Sequence, residues 1–354
     1  MLIKSVEELL KLINKNHHTL FIFNLESLDI FKQLRFEEYI YRYITPNCIN
    51  TAFLLLNHIH TSCSIIFGLS GNIKDIKDIN YCRKNRIELI RRFTGGGTVL
   101  IDNNIITSSI IATHSFVPNL NPNNLNNWAF NFYKSTNLFN QYFNILNGDF
   151  TYNPLNHHTN GPNRIGQDTN GSDTIGEDRI GTGTVGASTV TEDTVMENIY
   201  NLEYKIGGNA QAYNKNSFVY HTSFIWEVSP RIEEILSIPK KIPKYRNNRQ
   251  HNEFLKSIKN TLNINNKNLF IQLLIQSLSK LYHIILIHYS NTSTSNSINS
   301  YNSTNTSNSS DTVTDNFNEL NMKELEIKYI NDEIINNCIN NKLFTNYINF
   351  YYIY

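Results

Sequence analysis

Arg91-Arg92-Phe93-Thr94-Gly95-Gly96-Gly97-Thr98-Val99 is the stretch on which the reading of the fold turns. Two cations run into three consecutive glycines, and these run into the β-prone residues 98–101. Glycine is used where the backbone takes φ > 0 or where a ligand touches the main chain. Three in a row within a strand context weaken that strand without any gain in packing. The stretch is not a phosphate-cradling G-x-x-x-x-G-K-[ST] loop, so it reads either as a sharply turned strand pair or as a ligand-facing loop. Neighbouring residues on a strand point to opposite faces, so only one of Arg91 and Arg92 can face a pocket. A guanidinium beside free backbone N–H groups suits a carboxylate or a phosphate.

Working outward, the spacing of apolar residues predicts a helix over 3–17, a strand over 20–25 and a helix over 30–44 that Thr45-Pro46 ends. Strands are expected at 52–56 and 64–69, a charged helix at 73–86, then strands at 87–93, 98–101 and 105–114. Residues 125–146 read as one aromatic-rich helix, 218–228 as a strand or strand pair, 231–236 as a short helix, and 253–262 and 269–287 as helices. Between about 156 and 195 the text becomes irregular Ile/Val-Gly units spaced by Asp and Thr, expected to be a disordered insertion. Residues 290–316 are a Ser/Thr/Asn-rich low-complexity segment, and the tail beyond it is expected to return as helix plus strand.

A second glycine-bearing stretch, Lys205-Ile206-Gly207-Gly208-Asn209-Ala210-Gln211, lies further along the chain. Lysine beside a tight glycine turn can act as a point charge on a carboxylate or phosphate, and Asn209 adds a neutral amide. His221 lies in an apolar strand and reads either as a structural or as a site histidine. Tyr245, Arg246, Arg249 and His251 form a basic-aromatic cluster suited to an acidic ligand, a partner surface or a solvated loop.

The 354 residues carry 31 Lys+Arg against 30 Asp+Glu, which leaves no field for nucleic acid or an anionic membrane. The four cysteines have no metal-ligand spacing and read as reduced thiols. No apolar run is long enough to cross a membrane, and the first residues match neither a signal nor a transit peptide.

Taken in order, these motifs resemble the lipoate–protein ligases of the biotin/lipoate A/B protein ligase superfamily. Arg91 to Val99 resembles the Arg-Arg-x-Ser/Thr-Gly-Gly-Gly motif, and Lys205 to Gln211 followed by His221 resembles the lysine motif and downstream histidine. Glu37-Glu38 resembles the N-terminal Glu-Glu helix, and Phe67-Gly68-Leu69-Ser70 a glycine-bearing strand end. Residues 239–255 resemble the end of the catalytic domain in a eukaryotic branch.

The resemblance implies an α/β (α+β) fold, the mixed sheet flanked by helices of class II aminoacyl-tRNA synthetases. It implies a catalytic domain over 1–260 and a helical C-terminal extension over 261–354. Lipoate and ATP with Mg2+ would give lipoyl-AMP, which a lysine of an acceptor domain attacks. Lys205 would be catalytic, and Arg92, Thr94, Gly95, Gly96, Gly97, Gly207, Gly208, Asn209, Ala210 and His221 would bind the acyl substrate. Lys205, Thr98 and Asn198 would bind ATP, with Glu197 on Mg2+. The alternatives are a lipoyl or octanoyl transferase using a preformed adenylate or protein-bound donor, and a non-catalytic acyl- or acceptor-binding protein. Implied partners are lipoyl acceptor domains of 2-oxoacid dehydrogenase complexes or the glycine cleavage H protein. A monomer is expected, in the mitochondrion, cytoplasm or plastid, with no membrane or nucleic-acid partner.

Overall fold

In the computed structural model, residues 1–60, 62–154, 203–239, 241–290 and 325–348 are described. The expected insertion at about 156–195, Glu197 and Asn198 behind it, and the low-complexity segment from 291 onward lie outside these residues. In chain order come α1 (Val6–Lys15), β1 (Thr19–Asn24), α2 (Ile30–Tyr39), β2 (Thr51–Asn57), β3 (Ser64–Phe67), α3 (Ile79–Lys84), β4 (Glu88–Arg91), β5 (Val99–Ile101) and β6 (Ile105–Thr113). They are followed by α4 (Leu125–Lys134), β7 (Phe143–Leu146), β8 (Asp149–Tyr152), β9 (Tyr204–Tyr213) and β10 (Ser217–Ile225). Then come α5 (Ile232–Ile235), α6 (His251–Phe254), α7 (Ile258–Leu262), α8 (Lys267–Ser279), β11 (His283–Tyr289), β12 (Glu326–Ile330), α9 (Asp332–Ile339) and β13 (Asn346–Tyr347).

Local chemistry sets the element ends. Ser5 caps α1 by accepting from the Glu8 N–H, and Asp29 caps α2 by accepting from the N–H groups of Phe31 and Lys32. The helix begun by α2 runs on through a wide turn, Ile40–Ile44, and stops at Thr45–Asn47, where Pro46 cannot continue it.

The strands form a nine-stranded mixed sheet in the order β12-β11-β1-β2-β6-β10-β9-β8-β7 and a four-stranded sheet in the order β13-β4-β3-β5. The run β12-β11-β1-β2 is parallel, and from β2 onward neighbours are antiparallel. Every residue of β1 is buried, as expected of a parallel strand covered on both faces. Its alternation sends Leu20 and Ile22 into one core, where α4 and α8 cover the sheet with Phe132, Tyr133, Phe270 and Leu274. Phe21 and Phe23 enter the opposite core, formed with Leu9 and Ile13 of α1, Phe36 of α2 and Ile334 and Ile335 of α9. Burial of each such side chain contributes roughly 1.5–3 kcal/mol. The architecture is the mixed sheet flanked by helices that the resemblance implied.

Three expectations are corrected. The helix over 125–146 ends at Lys134, and Phe143–Leu146 pairs with Asp149–Tyr152 as a hairpin. Its two-residue turn is Asn147-Gly148, with φ of 52° and 79°, the strongest short hairpin signal a sequence can carry. The helix over 269–287 ends at Ser279, and His283–Tyr289 is a strand. Its run His-Ile-Ile-Leu-Ile-His-Tyr suits a strand buried on both faces. The separate helical extension from 261 onward is not found either. β11 pairs with β1, β12 with β11, and β13 with β4, so this part of the chain completes both sheets.

Candidate active site

The two glycine stretches meet. One cavity of about 300 Å³ is lined by Arg92, Gly97 and Thr98 from the first stretch and by Lys205, Gly208, Asn209 and Ala210 from the second, with His221 between them. Its wall also holds the apolar side chains of Ile30, Leu34, Ile66, Val99, Ile105 and Ile225. Thr94, Gly95, Gly96 and Gly207 are not part of that wall. Gly207 sits in the sheet, where an added Cβ would lie 3.3 Å from the Ser223 carbonyl and 3.4 Å from the Phe224 ring.

The loop between β4 and β5 is braced by the arginines that precede it. Arg92 is buried, and its Nη2 donates to the carbonyls of Gly95 at 2.7 Å and Gly97 at 2.9 Å, while Nε donates to Thr94 Oγ1 at 2.9 Å. Burial pulls the guanidinium down to about 10, with the charge of Glu37 opposing; it is protonated at neutral pH. Arg91 points the other way and donates to the carbonyls of Gly68, Leu69 and Gly71. Only Arg92 of the pair reaches the cavity, as strand alternation requires. However, its donors mainly hold the glycine loop, which makes it a positioning residue.

Gly96 is the glycine the loop cannot replace. Its φ is +93°, and an added Cβ would lie 2.8 Å from Arg92 Nη2 and 3.2 Å from Ala210 Cβ. Gly68 is equally fixed from outside, because its Cβ would overlap the Gly96 carbonyl.

Below the loop lies a buried polar chain. Glu37, fully buried on α2, accepts from Gln33 Nε2 and Ser109 Oγ, each at 2.8 Å. Its other oxygen lies 2.7 Å from His221 Nε2, close enough for a charged pair although not aligned as a hydrogen bond. His221 Nδ1 is 3.3 Å from Thr94 Oγ1, so the chain runs on to Arg92. The histidine reaches this position because β10 sets it opposite Ala210 on β9 and Ser109 on β6.

Lys205 stands on β9, and its Nζ lies 2.8 Å from Asp149 Oδ1. Tyr245 donates to Asp149 Oδ2 at 2.8 Å. Burial, then the Asp149 charge, pushes the Tyr245 phenol up, so it stays protonated as donor. Sequence reasoning looked for an acidic group near Lys205 only as a nucleotide and Mg2+ site at Glu197 and Asn198, and it missed Asp149. The partner comes from before the insertion, because β8 lies beside β9 with Thr151 opposite Lys205 and a register shift at Phe150/Thr151. The signal was Asn147-Gly148, which starts β8 at Asp149. Of the other residues, Thr98 was expected on the nucleotide and Asn209 on the acyl substrate. Thr98 lies on the wall with its hydroxyl donating to Asp75 Oδ2 at 2.5 Å, and Asn209 donates to the Gly148 carbonyl at 2.7 Å. Among the described residues, no group of three or more His, Cys, Asp or Glu is placed to hold a metal ion. No helix among them is long and apolar enough to cross a membrane.

The mixed sheet flanked by helices thus carries a cavity at which the glycine loop and Lys205 meet. The family model for the lipoyl protein ligase A/B catalytic domain matches residues 29–283, and the chain belongs to that family. The chain is 30% identical over 368 residues to the "Inactive lipoate–protein ligase 2" of Plasmodium falciparum, across 92% of this chain and 79% of that protein. Two solved structures share the fold at a TM-score of 0.50. One is the bi-partite lipoate protein ligase of Thermoplasma acidophilum, from a structural study of that ligase and its E2 lipoyl domain; it is 18% identical, over 76% of this chain and 86% of that one. The other is P. falciparum LipL1 in complex with lipoate, 17% identical, over 76% of this chain and 66% of that one.

Proposed function

We propose that the chain transfers a lipoyl or octanoyl group from its adenylate to a lysine of an acceptor domain. The observation that carries this is one cavity whose wall holds Ile30, Leu34, Ile66 and Ile225 together with the Lys205–Asp149 pair. The aliphatic chain would lie against Ile30, Leu34, Ile66 and Ile225. Lys205 would sit at the acyl carboxyl and its phosphate, where its charge stabilises the oxygen that develops negative charge as the acceptor amine attacks. The C–O bond to the phosphate then breaks, AMP leaves, and the amine loses a proton. Asp149 holds Lys205 in place, and Arg92 holds the loop that covers the acyl end. The structural study of the archaeal ligase with its E2 lipoyl domain supports a lipoyl domain as acceptor.

The second reading is the full ligase, in which the same site first makes the adenylate from lipoate and ATP with Mg2+. Lys205 and Thr98 on the cavity wall suit a nucleotide phosphate and support it. Asp149 is one carboxylate near Lys205 and would supply one oxygen to the ion, with Glu197 as the second candidate. The name of the Plasmodium relative, an inactive ligase, weighs against the full ligase and so places it second, and it equally favours the non-catalytic acyl-binding alternative.

Incubation with a lipoyl acceptor domain, read by intact mass, separates them. Acylation from lipoyl-AMP alone supports the transferase, acylation from lipoate and ATP with Mg2+ supports the ligase, and binding of octanoate with no transfer from either donor leaves a non-catalytic acyl-binding protein.

A further inference from the structure

We propose that Arg246 and His251 form a phosphoryl-anion subsite on the cavity wall, separate from Lys205. The inference rests on the acyl-adenylate reading and deepens it. Both residues line the same cavity as Lys205, yet both come from the short stretch 246–251, with Arg246 ending a 3-10 turn and His251 opening α6, and neither lies in a strand. Both are buried, at 3% and 6% exposure. Among the described residues, Arg246 Nη2 and His251 Nε2 have no hydrogen-bond partner. Leaving a buried charged donor unmatched is costly, more so than for a neutral group. Such a donor on a cavity wall is explained by a ligand that supplies the acceptor.

The guanidinium is fixed, so its free edge has a defined direction. Nε donates to the Arg249 carbonyl at 2.8 Å, Arg249 Nε donates back to the Arg246 carbonyl at 2.9 Å, and the Arg246 plane sits 4.7 Å from the centre of the Phe254 ring. The chain reverses just after it through Asn247 and Asn248, at φ of 50° and 56°, conformations that asparagine tolerates. Glu233, whose charge acts on both residues, is hydrogen-bonded elsewhere: it accepts from the Asn252 N–H at 3.0 Å and lies 3.8 Å from Lys77 Nζ. Tyr245, next to Arg246, bonds to Asp149, the partner of Lys205. One short segment thus carries the unpaired Nη2 donor of Arg246 and grips the lysine pair as well. A planar guanidinium edge joined by an imidazole nitrogen matches the oxygens of a tetrahedral phosphoryl group. Two sources share that chemistry, the phosphate of an acyl adenylate and the pyrophosphate released when one is made.

The test is calorimetric titration of the full chain with octanoyl-sulfamoyl-adenosine (its sulfamoyl group standing in for the phosphate), with pyrophosphate and with octanoate. Arg246→Gln is expected to weaken the adenylate analogue, pyrophosphate or both by at least about tenfold, leaving octanoate within about twofold and the melting temperature near that of the parent. His251→Gln should weaken the same ligands less, and Arg246→Lys should restore part of the affinity as a point charge. Loss of the analogue alone assigns the site to the adenylate, and loss of pyrophosphate assigns it to the leaving group. Unchanged affinities for both in Arg246→Gln and His251→Gln would overturn the proposal, as would an equal loss of octanoate. A parent chain that binds pyrophosphate through Arg246 but no octanoate keeps the subsite and sinks the acyl reading.

Discussion

Asp149 turns Lys205 from a lysine on a strand into a positioned charge. The two atoms are 2.8 Å apart, and both side chains are partly exposed, at 25% and 17%. An ion pair with that access to water contributes little to stability, on the order of 0–1 kcal/mol. Its effect falls on geometry, since misplacing a catalytic group by a fraction of an ångström slows chemistry sharply. Asp149→Asn should therefore lower acyl transfer by roughly tenfold or more while moving the melting temperature by only a few degrees at most. Equal transfer rates by intact mass would show that Asp149 does not position Lys205. The glycines differ among themselves in the same way. Gly96→Ala meets Arg92 and Ala210 at positive φ and should cost roughly 1–3 kcal/mol. Gly95→Ala meets nothing within 4 Å and should leave thermal stability close to the parent. Comparable melting temperatures for the two variants would refute the strained-loop account.

At the scale of the element, α2 works on two fronts. Gln33 and Glu37 face the cavity, and Arg35 and Glu38 grip the end of the chain. Glu38 is fully buried and accepts from the backbone N–H groups of Phe344 and Thr345, each at 2.8 Å, and from Arg42 Nε at 2.6 Å. Arg35 donates to the carbonyls of Ile339, Asn341 and Thr345. Tyr347 stacks on Phe31 with ring centres 4.0 Å apart. Glu38→Ala leaves two backbone donors without their acceptor and should cost about 1–3 kcal/mol. Hydrogen exchange at 344–348 should rise with it, and unchanged protection there would mean that Glu38 does not hold the segment.

At the scale of the whole molecule, the described residues 267–289 and 326–339 belong to the cores. Ending the chain at residue 260 removes β11 from beside β1 and takes Phe270, Leu274, Ile285 and Ile287 out of two cores. That shortened chain should give no cooperative thermal transition by circular dichroism, and a cooperative one would restore the boundary expected from the sequence. Acid sensitivity is also a property of the whole. Burial holds His60 down to about 3 and also lowers His251 and His288 from their usual value near 6.5. These groups are neutral in the folded state and gain protons more readily once unfolded. The stability they contribute is complete above about pH 6.5 and declines as the pH falls toward the folded values, by up to roughly 1.4 kcal/mol per pH unit per group. His60→Gln should flatten the fall in melting temperature between pH 6.5 and 4, and an unchanged slope would exclude His60 as its source.

Much of this was legible residue by residue. The helix of α2 with its proline stop, the strand at 20–25, the Arg-Arg-Gly-Gly-Gly loop and the Lys205 and His221 motifs are local patterns, set by side-chain period, turn chemistry and backbone freedom. They were enough to place the chain in its family and its fold. Tertiary structure alone decided which carboxylate meets Lys205, that Arg92 serves the loop more than the ligand, that residues 283–289 enter the main sheet, and that Arg246 opens onto the same cavity. Each of these depends on which strand lies beside which and in what register. Side-chain alternation tells a strand which face to bury, but it does not name the neighbour. Asp149 and Lys205 come together because β8, which begins just after the Asn-Gly turn from β7, pairs with β9 across the intervening chain, a pairing made by hydrogen bonds between distant segments and written in neither segment alone.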